Sequence, residues 1–304
     1  MKFPSPSSAE AAVAVTELSR NFGAKAALRG VSLYVPRGSV FGLVGENGAG
    51  KTTLIKHILG LFRAESGTVR VFDKDPVADS VEVLGRIGYL SEQPDLPGWM
   101  RVEELLRYTQ AFYPQWDRGY AEELRNRFGL PPEARLKTLS KGQQAKAGLL
   151  IAQAHRPELL LLDEPSSGLD PIVRHDILEA VIRAVADEGR TVFFSSHLLE
   201  EIERVSDQIA MLHHGKVVLC GALDDIKSQH RCLTLRFSSA QTKTPQIAGA
   251  LSVTGAGREW AVVCNGAAAQ LPAMAAQAGA EIVAERIPSL NEIFVAHAGA
   301  SPNT

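Results

Sequence analysis

Apolar positions along this chain follow two rhythms. Short unbroken runs recur: Val40-Phe41-Gly42-Leu43-Val44, Leu159-Leu160-Leu161-Leu162 and Thr191-Val192-Phe193-Phe194. Such runs read as strands buried on both faces, the habit of parallel sheets. Between them lie stretches with helical spacing, over 53–59, 102–113, 119–128, from Ser140 to about 155, and 172–187. Amphipathic spacing of this kind predicts helices packed on a sheet or on each other. The alternating segments 13–18 and 27–35 predict two strands before the first buried one, and 67–72 and 86–90 predict two more. The pattern as a whole predicts an α/β fold with a parallel core and a helical insertion.

After Gly221 the rhythm changes. A short helix is expected over 224–230, a strand over 233–237, a hairpin of 251–254 and 260–263 turning at Gly255-Ala256-Gly257, a helix over 267–278, a strand over 281–286 and a helix over 290–297. These elements predict a small α+β domain over 226–304, following a larger domain over 13–225. Residues 1–12, rich in Ser, Pro and Ala, are expected to form a disordered leader without a secretory signal.

Composition narrows the picture only a little. The 304 residues are 45% hydrophobic and 22% charged, with a net charge of −2, so no global field draws the chain to nucleic acid. Cys220, Cys232 and Cys264 are too few and scattered for a disulfide framework or a zinc site, and read as buried thiols. The longest uncharged stretch, 260–280, is interrupted by Asn, Gln, Pro and Gly, which argues against a membrane span. Work at a membrane would therefore need another polypeptide to cross it.

Chemistry enters between the first buried strand and the first helix. Gly45-Glu46-Asn47-Gly48-Ala49-Gly50-Lys51-Thr52 spells G-x-x-x-x-G-K-T. Gly45, Gly48 and Gly50 allow backbone turns that a Cβ forbids, and successive N–H groups can then cradle an anion. The helix beginning near Lys51 adds its positive dipole end. Lys51 can reach the β and γ phosphates of a nucleotide, and the Thr52 hydroxyl can bind Mg²⁺.

Other candidates cluster at strand ends. Asp163-Glu164 ends an apolar run, and buried acidic pairs are costly unless they hold a metal or do chemistry. Asp163 suits Mg²⁺, and Glu164 suits accepting the proton of an attacking water. Gln93 follows the strand 86–90 and can reach a metal or a water through its amide; a solvated loop residue is the plainer reading. Ser140 caps a helix start, His197 follows the strand at 191–194, and Phe22 fits either a base-stacking ring or a core or turn phenylalanine.

Taken together these motifs resemble the nucleotide-binding subunit of ATP-binding cassette transporters, over roughly 13–225. The resemblance implies a phosphate-loop NTPase cassette: a RecA-like parallel core, an amino-terminal antiparallel β subdomain and a helical subdomain at about 95–156. It implies ATP and Mg²⁺ as ligands. Phe22, the loop from Gly45 through Glu46, Asn47, Gly48, Ala49, Gly50 and Lys51 to Thr52 and Thr53, and Ser140, Gly142, Gln143 and Asp170 would contact nucleotide. Thr52, Gln93 and Asp163 would hold the metal, and Glu164, His197 and Gln93 would serve hydrolysis.

The implied partners are a second cassette, closing head to tail as a homodimer around two ATP molecules, and a transmembrane permease at the inner face of the cell membrane. The signature reads L-S-K-G-Q, with Lys141 where glycine is common, which would place a charge near the phosphates. The segment Ile287-Pro288-Ser289-Leu290-Asn291-Glu292-Ile293-Phe294 resembles the tail of bacterial exporter cassettes for drugs, lipids or polysaccharides. Two other readings stay open: a soluble cassette ATPase acting on nucleic acid or the ribosome, and a regulatory cassette with weak hydrolysis.

Overall fold

The structure is a computed structural model that describes residues 11–186, 189–266 and 271–300. It divides into two compact units, one ending at Val217 and the other beginning at Val218.

The first unit is built on the apolar runs. β3 (Val40–Val44), β6 (Leu159–Asp163) and β7 (Thr191–Ser196) are buried at every position. Together with β5 (Ile87–Leu90), β8 (Gln208–His213) and β9 (Lys216–Ala222) they form a six-stranded sheet of order β5-β6-β7-β3-β8-β9. The pairs from β5 to β8 are parallel. Their register fixes where the chemistry lies: Val44 sits opposite Ser196, and Asp163 opposite Ser195. The residues that follow these strands therefore emerge side by side at one edge, where open α/β sheets bind ligands.

A second sheet, of order β2-β1-β4, joins β1 (Ala11–Phe22), β2 (Lys25–Pro36) and β4 (Ser66–Val71) in antiparallel pairs. Ala11 and Ala12 begin β1 and are buried, so these two residues of the expected leader are structured; the rest of that leader lies outside the described residues. Glu17, at φ 48°, sits where the register of β1 shifts against both neighbours. Such a bulge twists the strand and ends strict alternation.

The helical insertion comprises α3 (Val102–Gln110), α4 (Arg118–Arg127) and α5 (Lys141–Gln153), preceded by α1 (Lys51–Ile58) and α2 (Ser80–Leu84). α3 stops three residues short of the expected 113. Its last turn tightens, with Ala111 N donating to Tyr108 O and Phe112 N to Thr109 O, and Pro114 follows. α6 (Pro171–Ala186) starts on a proline, which is favoured at the first helical position, and α7 (Leu199–Val205) follows β7. The expected end of α6 at Asp187 lies outside the described residues.

The second unit carries α8 (Leu223–Gln229) and a sheet of order β11-β10-β12, made of β10 (His230–Gln241), β11 (Ala250–Asn265) and β12 (Ala280–Arg286) in antiparallel pairs. Leu233, Leu235 and Phe237 alternate onto one core with Trp260 and Val262, while Cys232 and Val263 face another with Ala296. α9 (Leu271–Gln277) and α10 (Leu290–Ala300) complete it; residues 267–270 of the expected helix lie outside the described part. One strand span, β11, covers the two strands and the turn that the sequence predicts. Gly255 and Gly257 fall inside it with φ of 152° and 63°. A Cβ at Gly255 would lie 2.5 Å from the Glu259 carbonyl oxygen, four residues on, where extended backbone would hold the two about 13 Å apart, so the chain turns back at the expected glycines. All three cysteines are free thiols.

Candidate functional site

The loop after β3 leads directly into α1, whose first residue is Lys51. Two glycines are required there. Gly50 caps the helix at φ 113°, and a Cβ on Gly45 would lie 2.4 Å from the Leu212 carbonyl oxygen. Ala49 N donates to Glu46 O at 3.1 Å, closing the turn. A cavity of about 370 Å³ opens over this loop, lined by Phe22, Lys25, Asn47, Gly50, Lys51, Thr52, Thr53, Glu92 and Glu164 among others.

Lys51 is buried, and its Nζ donates to Gly45 O at 2.6 Å and Glu46 O at 3.2 Å. It also lies 3.0 Å from Glu164 Oε1, an ion pair without good hydrogen-bond direction, since Oε1 has no hydrogen-bond partner. The other oxygen, Oε2, accepts from the His197 backbone N–H at 3.2 Å and lies 2.6 Å from His197 Nδ1. Lys51, Glu164 and His197 thus form one contiguous group across the ends of three strands. Glu164 adopts φ 49°, a left-handed conformation that a side chain usually avoids.

Asp163 is 2% exposed. Burial pushes its carboxyl above the usual carboxylate range, opposed by hydrogen bonds from the hydroxyls of Ser195 and Thr52, with Glu164 raising it further and Lys51 lowering it. Ser195 Oγ donates to Asp163 Oδ1 at 2.7 Å and accepts from Glu164 N at 3.1 Å. A buried carboxylate met by only two hydroxyls is under-compensated. The Thr52–Asp163 pair therefore fits a divalent cation, whose oxygen-ligand chemistry these groups supply.

The other expected residues divide into two sets. Phe22 is 45% exposed and lines the cavity, with Phe62 edge-on at 5.7 Å. Gln93 does not line it; Glu92 does. The described contact of Gln93 is its carbonyl, which accepts from Ser91 Oγ at 3.0 Å.

Ser140, Gly142, Gln143 and Asp170 lie away from this cavity. Ser140 and Gln143 cap α5 reciprocally: Ser140 Oγ accepts from Gln143 N at 3.2 Å, and Gln143 Oε1 accepts from Ser140 N at 3.0 Å. Gly142 packs on α6, where a Cβ would meet Val173 Cγ2 at 2.7 Å. Asp170 Oδ1 accepts from Ile172 N and Val173 N at 3.0 and 3.1 Å, starting α6. Lys141 does not project outward as a free charge; its Nζ donates to the Ser167 carbonyl at 3.0 Å. Sequence reasoning missed Lys25, Glu92 and Ser195. Ser195 was marked only by ending a buried run, and Lys25 and Glu92 by being charges beside strand ends.

Known proteins resemble this chain in sequence and fold. The family model described as ABC transporter matches residues 28–167. The chain is 32% identical to the ABC transporter ATP-binding protein YtrB of Bacillus subtilis (strain 168), over 75% of this chain and 77% of that protein. It is 34% identical to the daunorubicin/doxorubicin resistance ATP-binding protein DrrA of Streptomyces peucetius, over 76% of this chain and 72% of that one. Among solved structures, the ATP-binding subunit of an ABC transporter matches with a TM-score of 0.65 at 32% identity, covering 71% of this chain and 92% of the other. With a phosphate loop, a buried carboxylate pair and a histidine held at one sheet edge, and relatives of this length and identity, the chain belongs to the ABC transporter family as an ATP-binding, ATP-hydrolysing subunit.

Proposed function

We propose that this chain powers export through a separate membrane-spanning permease, with Glu164 as the base of hydrolysis. The observation that carries the catalytic part is the Lys51–Glu164–His197 group, in which one buried carboxylate is shared by a cation and an imidazole beside the phosphate cradle. An incoming triphosphate competes with Glu164 for Lys51, because both are anions and Lys51 Nζ lies 3.0 Å from Oε1. Transfer of Lys51 to the phosphates releases that oxygen to face water. Glu164 then takes a proton from the water as its oxygen bonds to the γ phosphorus and the bond to the β-phosphate oxygen breaks, giving ADP and phosphate. His197 holds the other carboxylate oxygen and so fixes the direction of the base.

Thr52 and Asp163 would hold Mg²⁺, which neutralises phosphate charge when bound. Phe22 stacks on the base. Ser140 and Gly142, which do not line their own chain's cavity, serve the nucleotide of a second copy in a head-to-tail homodimer. Among the described residues no helix is long and apolar enough to cross a membrane, which agrees with a separate permease. An apolar cavity of about 330 Å³ lined by Leu59, Leu61, Leu84, Tyr89, Tyr113 and Ile151 offers that permease a seat, with Phe112 64% exposed on the turn beside Tyr113. Export is favoured by the tail sequence and by the similarity to a drug-resistance subunit.

The test is Glu164→Gln in the full chain. ATP binding should persist, turnover should fall by about 10³-fold, and a dimer should accumulate with magnesium and ATP. Unchanged steady-state hydrolysis would remove Glu164 from the mechanism. Export is tested by ATP-dependent movement of substrate in vesicles holding the permease; uptake toward the ATP side would reverse the assignment.

A further inference from the structure

The start of α5 is wired to the cavity of its own chain. Lys141, the first residue of that helix, is exposed, yet its ammonium turns back and donates to the Ser167 carbonyl oxygen at 3.0 Å. The fit is close: a Cβ on Gly168, which has φ 65°, would lie 2.5 Å from Lys141 Nζ. The hydroxyl of the same serine donates to Glu92 Oε1 at 3.2 Å. Glu92 in turn lines the nucleotide cavity with Lys51, Thr52 and Glu164. The Ser167 N–H is fixed by the Glu164 carbonyl at 3.0 Å, so this serine also follows the residue proposed as the base.

Three residues distant in sequence thus form one chain of contacts, from Glu92 through Ser167 to Lys141. Its far end carries the segment that the proposed dimer presents to the other subunit's nucleotide. We propose that Lys141 is a positioning residue that couples occupancy of its own chain's nucleotide cavity to the placement of Ser140 and Gly142. The inference rests on the proposed dimeric function.

The physical argument is electrostatic and mechanical. A triphosphate entering the cavity brings several negative charges beside the Glu92 carboxylate and displaces it. Ser167 follows, because its hydroxyl is bonded to that carboxylate. The Ser167 carbonyl carries Lys141 with it. α5 cannot ignore the pull, since Gly142 is in contact with Val173 and Lys146 Nζ is 2.7 Å from Asp176 Oδ2, so the helix moves with α6 rather than slipping over it. Neither glycine, which lacks a side chain, nor alanine could make this contact. A lysine reaches the carbonyl with its four-carbon stem, and an arginine can do the same.

The consequence is positive coupling between two ATP sites, a free energy that binding curves report directly. The experiment measures ATPase rate against ATP concentration for the purified full chain and for Lys141→Met, Lys141→Arg, Ser167→Ala and the Lys141→Met/Ser167→Ala double variant. The wild type should be sigmoidal, with a Hill coefficient of about 1.5 or more. Lys141→Met and Ser167→Ala should each bring the coefficient to about 1 and lower kcat about three- to fivefold, the range of one exposed charged contact. The double variant should lose no more than either single one, because both break the same chain. Lys141→Arg should retain the cooperativity, which a merely space-filling role would not require.

A hyperbolic wild-type curve, or kcat losses that multiply in the double variant, would overturn the coupling while leaving the ATPase assignment standing. A wild type that binds ATP without hydrolysing it would instead strike at the proposed function. If Lys141→Met misfolds, as thermal unfolding would show, Ser167→Ala and Lys141→Arg still decide the question.

Discussion

The buried pair Lys51–Glu164 should be worth measurable stability before any nucleotide arrives, and its sign under substitution is specific. Both side chains are about 6–7% exposed, and their charged atoms lie 3.0 Å apart. At an effective dielectric constant of about 20 their attraction is about 5 kcal/mol, and much of that is offset by taking both from water. Lys51→Met leaves Glu164 with His197 alone and strips the Gly45 and Glu46 carbonyls of a donor, so a loss of about 3 kcal/mol is expected. Glu164→Gln leaves Lys51 with both carbonyls and should cost about 1 kcal/mol or less. The Lys51→Met/Glu164→Gln double variant should then recover about 2 kcal/mol relative to the sum of the singles. Hydrogen exchange of the β3 and β6 amides in mild urea reads this locally, which avoids treating two units as one transition. Additivity within about 0.5 kcal/mol would refute the claim that these charges hold each other.

Other outcomes follow from single distances or from burial. In Gly88→Ala the new Cβ would lie 1.9 Å from the Ala152 carbonyl oxygen, so β5 must separate from α5; a loss of roughly 3 kcal/mol or more should appear as a thermal midpoint lower by about 6–12 °C. His155 is 1% exposed, and burial lowers its pKa to about 4, with Ile87 O accepting at 3.1 Å. Because the folded pKa lies below the unfolded value, protonation favours unfolding: the contribution is whole above pH 6.5 and is lost as pH falls toward 4. That loss, about 2–3 kcal/mol, should be absent from the pH profile of unfolding in His155→Leu. Phe22→Ala should weaken ATP binding about tenfold in equilibrium titration with little change in kcat, and an unchanged affinity would exclude base stacking by this ring.

What could be read from the residues depended on how strongly packing constrains them. β3, β6 and β7 were legible because central parallel strands must be apolar on both faces, and their ends coincide with the motifs. The phosphate loop was legible because glycine at positions 45 and 50 answers a backbone demand. The choice between Glu92 and Gln93 was not, since both suit a loop and only the pointing direction after Leu90 decides. The turn inside β11 was legible from Gly255 and Gly257, whereas the register of β10 against β11 is a tertiary property. The short α7 and the strands β8 and β9 carry too few periods to stand out. The role of Lys141 was hidden because its acceptor is a backbone carbonyl 26 residues away, which no side-chain pattern records.

Glu164 holds a backbone shape that suits glycine or asparagine, at a strain of roughly 1 kcal/mol or more. Heat and turnover therefore select in opposite directions at this position. A library sorted only for survival at high temperature should accumulate glycine or asparagine at 164, while one sorted for work at the membrane should discard both. The strained backbone at position 164 is then a record of what the molecule was kept for, written in its geometry rather than its chemistry.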